Sequence, residues 1–341
     1  MTMKKTAGLI VLVLALMLQA CGQSKATEES GDSASSSQGQ AQGKSATITI
    51  GYQSPTAQTW GALSIKHQKL FEKHLKELAP NDDVKVEWFD APAGSILNNN
   101  MNGGKIQISF LGDMPSLLNG VLGITQPNYR SVFLAFDGKG ALGRNQAIVV
   151  PNDSDVKTIG DLAGKTVSTP IGSSAHRMLL DTLRQHDMVD KVTIVDQSVT
   201  VGMQSIEQGK IAAHSTWAPY PDLILYKGIG KILSPGEATK IDYLAGVVAN
   251  LDWAEENEPY VIAFLRALHE AHALVAEHPE EAAEIFEAES KFPPEVTRQM
   301  AENIRFRRGH LRQGPEDAER QHRLSDQHRQ ASEEAGSGGV C

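Results

Sequence analysis

A short turn of small and hydroxyl-bearing residues, Gly172, Ser173, Ser174 and Ala175, offers the clearest chemistry in this sequence. The flanking pattern ends a strand and begins a helix here, so free backbone N–H groups and two hydroxyls meet the positive end of a helix dipole. Glycine allows close approach to the backbone, and neutral donors can hold an anion while still allowing its release. The turn is predicted to bind an anion, with helix capping by serine as the alternative.

A second turn of the same kind is formed by Gly112 and Asp113, again directly after a strand. Open α/β sheets bind ligands at the carboxyl ends of their strands. Asp113 either caps its own helix or faces the cleft, and in the second case a ligand with an amino group becomes more plausible. Gln53 and Ser54 follow the first strand and are neutral donors at the same sheet edge, where they line the cleft or remain outside it.

Tryptophan and histidine residues are further candidates. Trp217, and less strongly Trp60, can cover the apolar part of an organic ligand or lie in a core. His176 falls in a first helical turn, where packing or a surface hydrogen bond is expected. His269 and His272 have helical spacing but lack a third clustered ligand, so no metal or other cofactor is predicted. The motifs HExxH, GxSxG and GxxxxGK[ST] are absent, and no catalytic residue is predicted.

Strands and helices alternate along the chain, which indicates an α/β fold with mainly parallel sheets covered by helices. The length allows two lobes. A glycine cluster at positions 138, 140 and 143 follows the first series of units, and the chain crosses back near positions 238–243. The predicted strands are 47–52, 84–89, 106–110, 131–136, 147–150, 165–169, 193–195 and 243–249, with helices beginning near positions 61, 94, 113, 173, 199, 259 and 279.

Composition excludes some classes of partner. The net charge of -9 and the pI of about 5.7 argue against a nucleic-acid surface, which needs clustered basic residues. Cys21 and Cys341 are the only cysteines in the sequence, so no disulfide is expected inside the globular part.

The N-terminal segment predicts export. Lys4 and Lys5 precede an apolar run over 7–17, which has the length of a secretory signal and is too short to span a membrane. The segment ends in Leu-Gln-Ala-Cys, which resembles the bacterial lipobox. The resemblance implies cleavage before Cys21, lipidation of that residue and anchoring at the outer face of the bacterial cytoplasmic membrane. Residues 22–45 have the composition of a flexible tether.

Three segments carry a family resemblance. In chain order they are GGKIQISFLGDMPSLL at 103–118, DLAGKTVSTPIGSSAH at 161–176 and STWAPYPDLI at 215–224. Similar segments occur in this order in the aliphatic sulfonate, nitrate and taurine class of substrate-binding proteins. The chain resembles this SsuA/NMT1-like family over roughly 48–306. The resemblance implies a two-lobed, type II periplasmic-binding-protein-like fold in which each lobe has a mixed, mainly parallel sheet flanked by helices. Two hinge crossings join the lobes, with 46–140 and 241–306 in lobe 1 and 141–240 in lobe 2.

The resemblance also implies a function. The expected protein is a monomer that captures a small anionic or zwitterionic solute between its lobes and delivers it to an ABC permease with its ATPase, with no nucleic-acid partner. The ligand-binding residues would be Gln53, Ser54, Gly112, Asp113, Gly172, Ser173, Ser174, Ala175 and Trp217. A surface sensor lipoprotein and an enzyme like the pyrimidine synthases of thiamine biosynthesis are the alternatives. The enzyme alternative is disfavoured because those synthases use a cysteine-rich iron motif, whereas this sequence has no cysteine between Cys21 and Cys341.

The C-terminal segment departs from the rest of the sequence. Residues 307–341 contain no lysine and six arginines, with few large apolar side chains. A one-base shift of a GC-rich back-translation from 307 onward encodes an amphipathic helical sequence. We therefore hypothesise a frameshift after about Phe306 and a disordered tail, with a genuine polar tail as the alternative.

Overall fold

The strands of this protein form two separate sheets in the computed structural model, which describes residues 43–306. The first lobe contains the strands β1 Ser45–Tyr52, β2 Asp83–Asp90, β3 Ile108–Gly112, β4 Ser131–Gly140, β10 Tyr243–Asn250 and β11 Arg305–Phe306, in the order β11-β4-β10-β3-β1-β2. The second lobe contains β5 Gln146–Pro151, β6 Thr166–Thr169, β7 Thr193–Asp196, β8 Ala213–Trp217 and β9 Gly230–Pro235, in the order β7-β6-β8-β5-β9.

Helices cover both faces of each sheet. Those of the first lobe are α1 Gly61–Gln68, α2 Leu70–Leu78, α3 Gly94–Asn102, α4 Asp113–Thr125, α8 Leu251–Glu256, α9 Glu258–Glu277, α10 Pro279–Ser290 and α11 Pro294–Asn303. Those of the second lobe are α5 Ser174–Gln185, α6 Val199–Glu207 and α7 Tyr220–Tyr226. Within residues 43–306, no helix has both the length and the apolar character that crossing a bilayer requires.

Both sheets are mixed, as expected, but antiparallel pairings outnumber parallel ones by five to four within the described residues. The expectation of mainly parallel sheets holds for β2-β1-β3 and β7-β6-β8 and fails beside the crossings. There β4 leaves the first lobe where β10 re-enters it, so the two neighbours run in opposite directions. The neighbours β5 and β9 are antiparallel for the same reason.

Two short 3-10 segments, Ala141–Gly143 and Gly236–Thr239, connect the lobes and touch each other. Gly143 has φ +94°, in the left-handed region that favours glycine. A Cβ atom on Gly143 would lie 2.1 Å from the carbonyl oxygen of Gly236, and a Cβ on Gly236 would lie 2.1 Å from the carbonyl oxygen of Gly143. Glycine at both positions therefore allows the two crossings to pack backbone to backbone.

Alternation along the strands builds a core on each face of the sheets. In β5, Ile148 and Val150 face α5, whereas Ala147 and Val149 face α6 and α7. A separate apolar cluster joins the lobes: Trp217 and Tyr220 from the second lobe pack with Tyr243 and Val296 from the first. This cluster and the crossings position the two walls of the cleft.

Several predictions fall outside the described residues. The lipidation of Cys21, the signal segment, most of the tether over 22–45 and the frameshift hypothesis for 307–341 lie in this category.

Candidate functional site

A cavity of about 100 Å³ lies between the lobes, at the carboxyl ends of strands from both sheets. Its first-lobe wall comes from the loop after β1 and the starts of α3 and α4, and its second-lobe wall comes from the start of α5 and the end of β8. The lining residues are Gln53, Thr56, Ala93, Gly94, Ser95, Asn98, Gly112, Pro115, Leu118, Pro170, Ile171, Gly172, Ser173, Ser174, Trp217 and Tyr243.

The second-lobe wall is the turn that the sequence singles out. Gly172 has φ +79°, and Ser173 is the N-cap of α5, where its Oγ accepts a hydrogen bond from the His176 N–H at 3.2 Å. The capping alternative is therefore real for Ser173, although Gly172, Ser173 and Ser174 also line the cavity. The Nδ1 atom of His176 accepts from the Gly172 N–H at 3.3 Å, and burial lowers the pKa of this imidazole. His176 thus supports the turn.

The two helices that start on the first-lobe wall have N-cap residues without a capping side chain, although Asp113 accepts the Met114 N–H in the first turn of α4. Gly112 is the N-cap of α4 and lines the cavity, where a Cβ atom would lie 3.1 Å from the Ser174 Oγ of the other lobe. Ala93 is the N-cap of α3, and its methyl group cannot accept a hydrogen bond. The first backbone N–H groups of α3 therefore lie at the cavity without a side-chain acceptor.

The start of α3, over 93–95, was missed by the sequence analysis as a ligand-binding segment. A Cβ atom on Gly94 would lie 2.5 Å from the Pro115 Cβ and 3.1 Å from the Gln53 Oε1, so only glycine fits without movement of α4. The signal that points to it is Ala-Pro-Ala-Gly directly after β2, a proline and glycine turn at the same sheet edge.

Gln53 places an amide group in the cavity, whereas its neighbour Ser54 does not line it. Gln53 is 4% exposed and donates from Nε2 to the Thr56 Oγ1 at 2.7 Å. Among residues 43–306, no donor reaches its Oε1. The backbone of Ser54 is occupied by structural bonds: its N–H donates to Asp90 at 2.9 Å and its carbonyl accepts from the Trp60 Nε1 at 2.9 Å.

The two candidate tryptophans have different positions. Trp217 lines the cavity and crosses the cleft, where its Nε1 donates to the Thr56 Oγ1 at 2.9 Å and to the Pro55 carbonyl at 3.2 Å. Trp60 is fully buried and packs against Phe286, with ring centroids 4.8 Å apart, so its role is in the first-lobe core.

Asp113 and Ala175 do not line the cavity. The Oδ1 of Asp113 accepts from the Met114 N–H at 2.6 Å and from the Ser174 hydroxyl, and its Oδ2 lies 3.1 Å from the Arg177 Nη2. Asp113 is therefore engaged by its own helix and by α5 of the other lobe, and its carboxylate does not line the cavity. Ala175 is buried in the apolar cluster between the lobes.

Tyr243 is a wall residue that the sequence analysis missed, because its strand pattern indicates only a core position. It lines the cavity and is 1% exposed. Burial, and secondarily Asp113, raises the pKa of Tyr243 well above its ordinary value, so its hydroxyl remains a neutral donor.

His272 is a structural residue. Its Nε2 lies 2.7 Å from the Oδ1 of Asp137, which is fully buried with a raised pKa caused mainly by burial. Within the part of the chain that the structure describes, no group of three or more metal-ligating side chains is found.

The geometry of the cavity suits a small negative group. Three helices, α3, α4 and α5, point their N-termini at it from both lobes, and backbone N–H groups together with the helix dipoles stabilise negative charge there. The remaining wall is largely apolar: Ala93, Pro115, Leu118, Ile171 and Trp217.

This chain is similar to one family model and to two curated proteins. Residues 143–282 match the model of the family described as NMT1/THI5 like. A relative from Escherichia coli (strain K12) is 28% identical over 242 residues, 69% of this chain and 69% of that protein. One from Bacillus subtilis (strain 168) is 27% identical over 286 residues, 83% of this chain and 78% of that protein. Both carry the name "Putative aliphatic sulfonates-binding protein".

The solved structures confirm the fold. The alkanesulfonate-binding protein SsuA from Xanthomonas axonopodis pv. citri, bound to MOPS, matches with a TM-score of 0.66 at 21% identity, over 77% of this chain and 87% of that one. The two-lobed periplasmic-binding-protein fold predicted from the sequence is confirmed, and the match of residues 143–282 and the names of the two relatives agree with the predicted family resemblance.

Proposed function

We propose that this chain, of which residues 143–282 match the model of the NMT1/THI5 like family, is the solute-binding component of an ABC importer and captures a small organic anion. The names of the two curated relatives support a ligand of the aliphatic sulfonate class. They also support binding and delivery, rather than catalysis, as the role of the cleft.

One observation carries the proposal: the starts of α3, α4 and α5 meet at a single cavity, and they come from both lobes. An anion held by all three contacts both lobes only when the cleft is closed. Binding then shifts the population towards the closed form, which is the form that a permease has to recognise.

The chemistry of the wall supports reversible capture. The donors are backbone N–H groups, the Tyr243 hydroxyl and the Nε2 proton of Gln53 that is not donated to Thr56, and no lysine or arginine lines the cavity within the described residues. Neutral donors bind an anion more weakly than a guanidinium pair, which favours release. The apolar part of the wall suits the short carbon chain of an alkanesulfonate.

The rest of the proposal concerns location and partners. We propose that the protein is exported, that lipidation of Cys21 anchors it at the outer face of the cytoplasmic membrane, and that it acts there as a monomer with a permease and its ATPase. Support comes from the lipobox-like sequence at 18–21 and the polar composition of 22–45.

Isothermal titration of the protein with ethanesulfonate, taurine and nitrate tests the ligand class, with thermal unfolding as a second readout. A ligand at 100 times its Kd should stabilise the protein by about 2.7 kcal/mol. If none of the three anions produces heat or raises the unfolding midpoint, the proposed function is wrong.

A matched pair of variants tests whether binding occurs in this cleft. In Gly112→Val the new Cβ lies 3.1 Å from the Ser174 Oγ across the cleft, whereas in Gly120→Val, within the helix α4 that Gly112 precedes, the Cβ has open space around it. We expect Gly112→Val to lower affinity by about a hundredfold or more because closure is blocked, and Gly120→Val to keep it. Equal affinity in the two variants would place the ligand elsewhere.

A further inference from the structure

One ion pair crosses the cleft beside the cavity. Asp113, the first residue of α4 in the first lobe, lies 3.1 Å from the Nη2 of Arg177 on α5 in the second lobe. Their side chains are 16% and 18% exposed, so water screens the pair only partly. We call these two residues the cross-cleft pair.

The negative member of the cross-cleft pair lies close to the proposed anion. The Oδ1 of Asp113 accepts a hydrogen bond from the Ser174 hydroxyl, and Ser174 lines the cavity. Asp113 is therefore one hydrogen bond away from the ligand. An isolated carboxylate at this position would repel a sulfonate.

The positive member is held against Asp113 and away from the cavity. Arg177 lies 3.5 Å from the Oδ2 of Asp181 and donates to the Asp242 carbonyl at 3.5 Å, and it does not line the cavity. Both charges act on the wall residue Tyr243: Asp113 raises the pKa of its hydroxyl and Arg177 lowers it, with burial as the larger cause of the shift. The charges of the cross-cleft pair therefore act electrostatically on a residue of the cavity wall, although neither Asp113 nor Arg177 lines the cavity.

The geometry assigns Arg177 a role as a positioning residue for anion binding. It offsets the charge of Asp113 at the cavity and holds this carboxylate as the acceptor of the Ser174 proton. The assignment rests on the proposed function, because it requires an anionic ligand. The role of Arg177 explains how the negatively charged Asp113 can lie beside a site that binds an anion.

Three variants separate charge from structure: Asp113→Asn, Arg177→Gln and the double variant Asp113→Asn with Arg177→Gln. All three lose the ion pair, and positions 113 and 177 together then carry a net charge of plus one, minus one and zero, respectively, with Asp181 unchanged in each variant. Ethanesulfonate should bind most tightly to Asp113→Asn, less tightly to the double variant and most weakly to Arg177→Gln. The two single variants should differ by roughly tenfold or more at low salt.

Two further measurements exclude a purely structural role. Added NaCl should reduce the difference between the single variants because it screens charge. Arg177→Lys, which keeps the charge, should bind ethanesulfonate more tightly than Arg177→Gln. If the three variants that lack the ion pair bind within about twofold of one another, the cross-cleft pair is only a structural tie and the assignment is wrong. If the wild-type protein binds none of the tested anions, the proposed function itself fails.

Discussion

The two walls of the cleft are built from the same element, a strand that ends where a helix begins, yet they differ in what remains free for a ligand. On the second-lobe wall, Ser173 caps α5 and the hydroxyl of Ser174 is donated to Asp113. On the first-lobe wall, the N-caps of α3 and α4 are Ala93 and Gly112, which have no side-chain acceptor. The Met114 N–H of α4 is bonded to Asp113, so the uncommitted N–H groups of the first-lobe wall lie mainly at the start of α3.

The difference shows that N–H groups bonded to a capping side chain are no longer free to bind a ligand. A serine that is easy to identify as a helix start already satisfies one N–H of its own helix. A helix that begins at alanine or glycine leaves those groups available to a ligand. We therefore expect the first-lobe wall to contribute more to anion affinity, and the second-lobe wall to contribute more to stability.

The largest expected effect concerns the region beneath the second-lobe wall, where His214 on β8 is fully buried. Its Nδ1 lies 2.8 Å from the Ser168 Oγ, and burial lowers its pKa from the ordinary value of 6.5 to about 4. Below pH 6.5 the unfolded chain takes up a proton that the folded protein does not. The free energy of unfolding should therefore fall by about 3 kcal/mol between pH 6.5 and 4 through this group alone.

Urea unfolding of wild-type protein and His214→Gln at about pH 7 and about pH 4.5 measures this contribution. The variant should lose less stability on acidification, whereas a control at the exposed His186, His186→Gln, should behave like the wild type. Asp222 acts in the opposite direction, since burial raises its pKa to about 6 and the folded state gains a proton first as the pH falls. It is present in all three proteins, so the difference between them isolates His214. Parallel losses would contradict the prediction.

The next effect tests the first-lobe wall. Gly94→Ala places a methyl group 2.5 Å from the Pro115 Cβ, so α3 has to move away from α4. We expect ethanesulfonate affinity to fall by about thirtyfold, since a shift of about 1 Å in a binding group is costly. Titration calorimetry is the measurement. Affinity within about twofold of the wild type would show that the second-lobe turn dominates binding and would reverse the comparison.

Gln53→Leu should have a smaller effect on the same wall. The variant removes the amide that faces the cavity but keeps the Trp217 bond to Thr56. A hydrogen bond to a charged ligand contributes about 1.5 to 3 kcal/mol, so affinity should fall by roughly tenfold or more. Ser54→Ala is the matched control, because Ser54 does not line the cavity. Equal losses in the two variants would contradict a specific role for Gln53.

The smallest effect is expected on the second-lobe wall. Ser173→Ala removes the cap of α5 and should lower the free energy of unfolding by about 1 kcal/mol, with affinity changed by less than about threefold. Chemical denaturation and titration of the same preparation measure both quantities. A loss of affinity larger than that of Gln53→Leu would overturn the division of roles between the walls.

Local pattern predicted much of the fold. The alternation of strands and helices and the strand bounds at 47–52, 84–89 and 193–195 agree with the structure to within a few residues, because buried strands are short apolar runs. The helix predicted to begin near position 61 is followed directly by a second helix, α2, because Lys69 adopts φ 53° and ends α1. The residues next to Lys69 include no glycine or proline, so the sequence gives no signal that a helix ends there.

The candidate site was predictable only in part. The turns that follow the strands can be recognised in the sequence. Gln53, Gly112 and the turn at 172–174 were therefore named as candidates, and they line the cavity. The ion pair of Asp113 could not be predicted, because Arg177 belongs to the other lobe and the two residues meet only when the lobes pack together. The start of α3 lacks hydroxyl side chains and therefore resembled an ordinary turn.

Trp217 gives the cleft an optical reporter. Its indole N–H donates across the cleft to Thr56 and Pro55, and the indole is 4% exposed. It is also the only one of the four tryptophans in the sequence between the two crossings. Separation of the lobes would break these bonds and wet the ring, so the intrinsic fluorescence of this one side chain should shift to longer wavelength. Opening and closing can therefore be followed spectroscopically on the unlabelled protein.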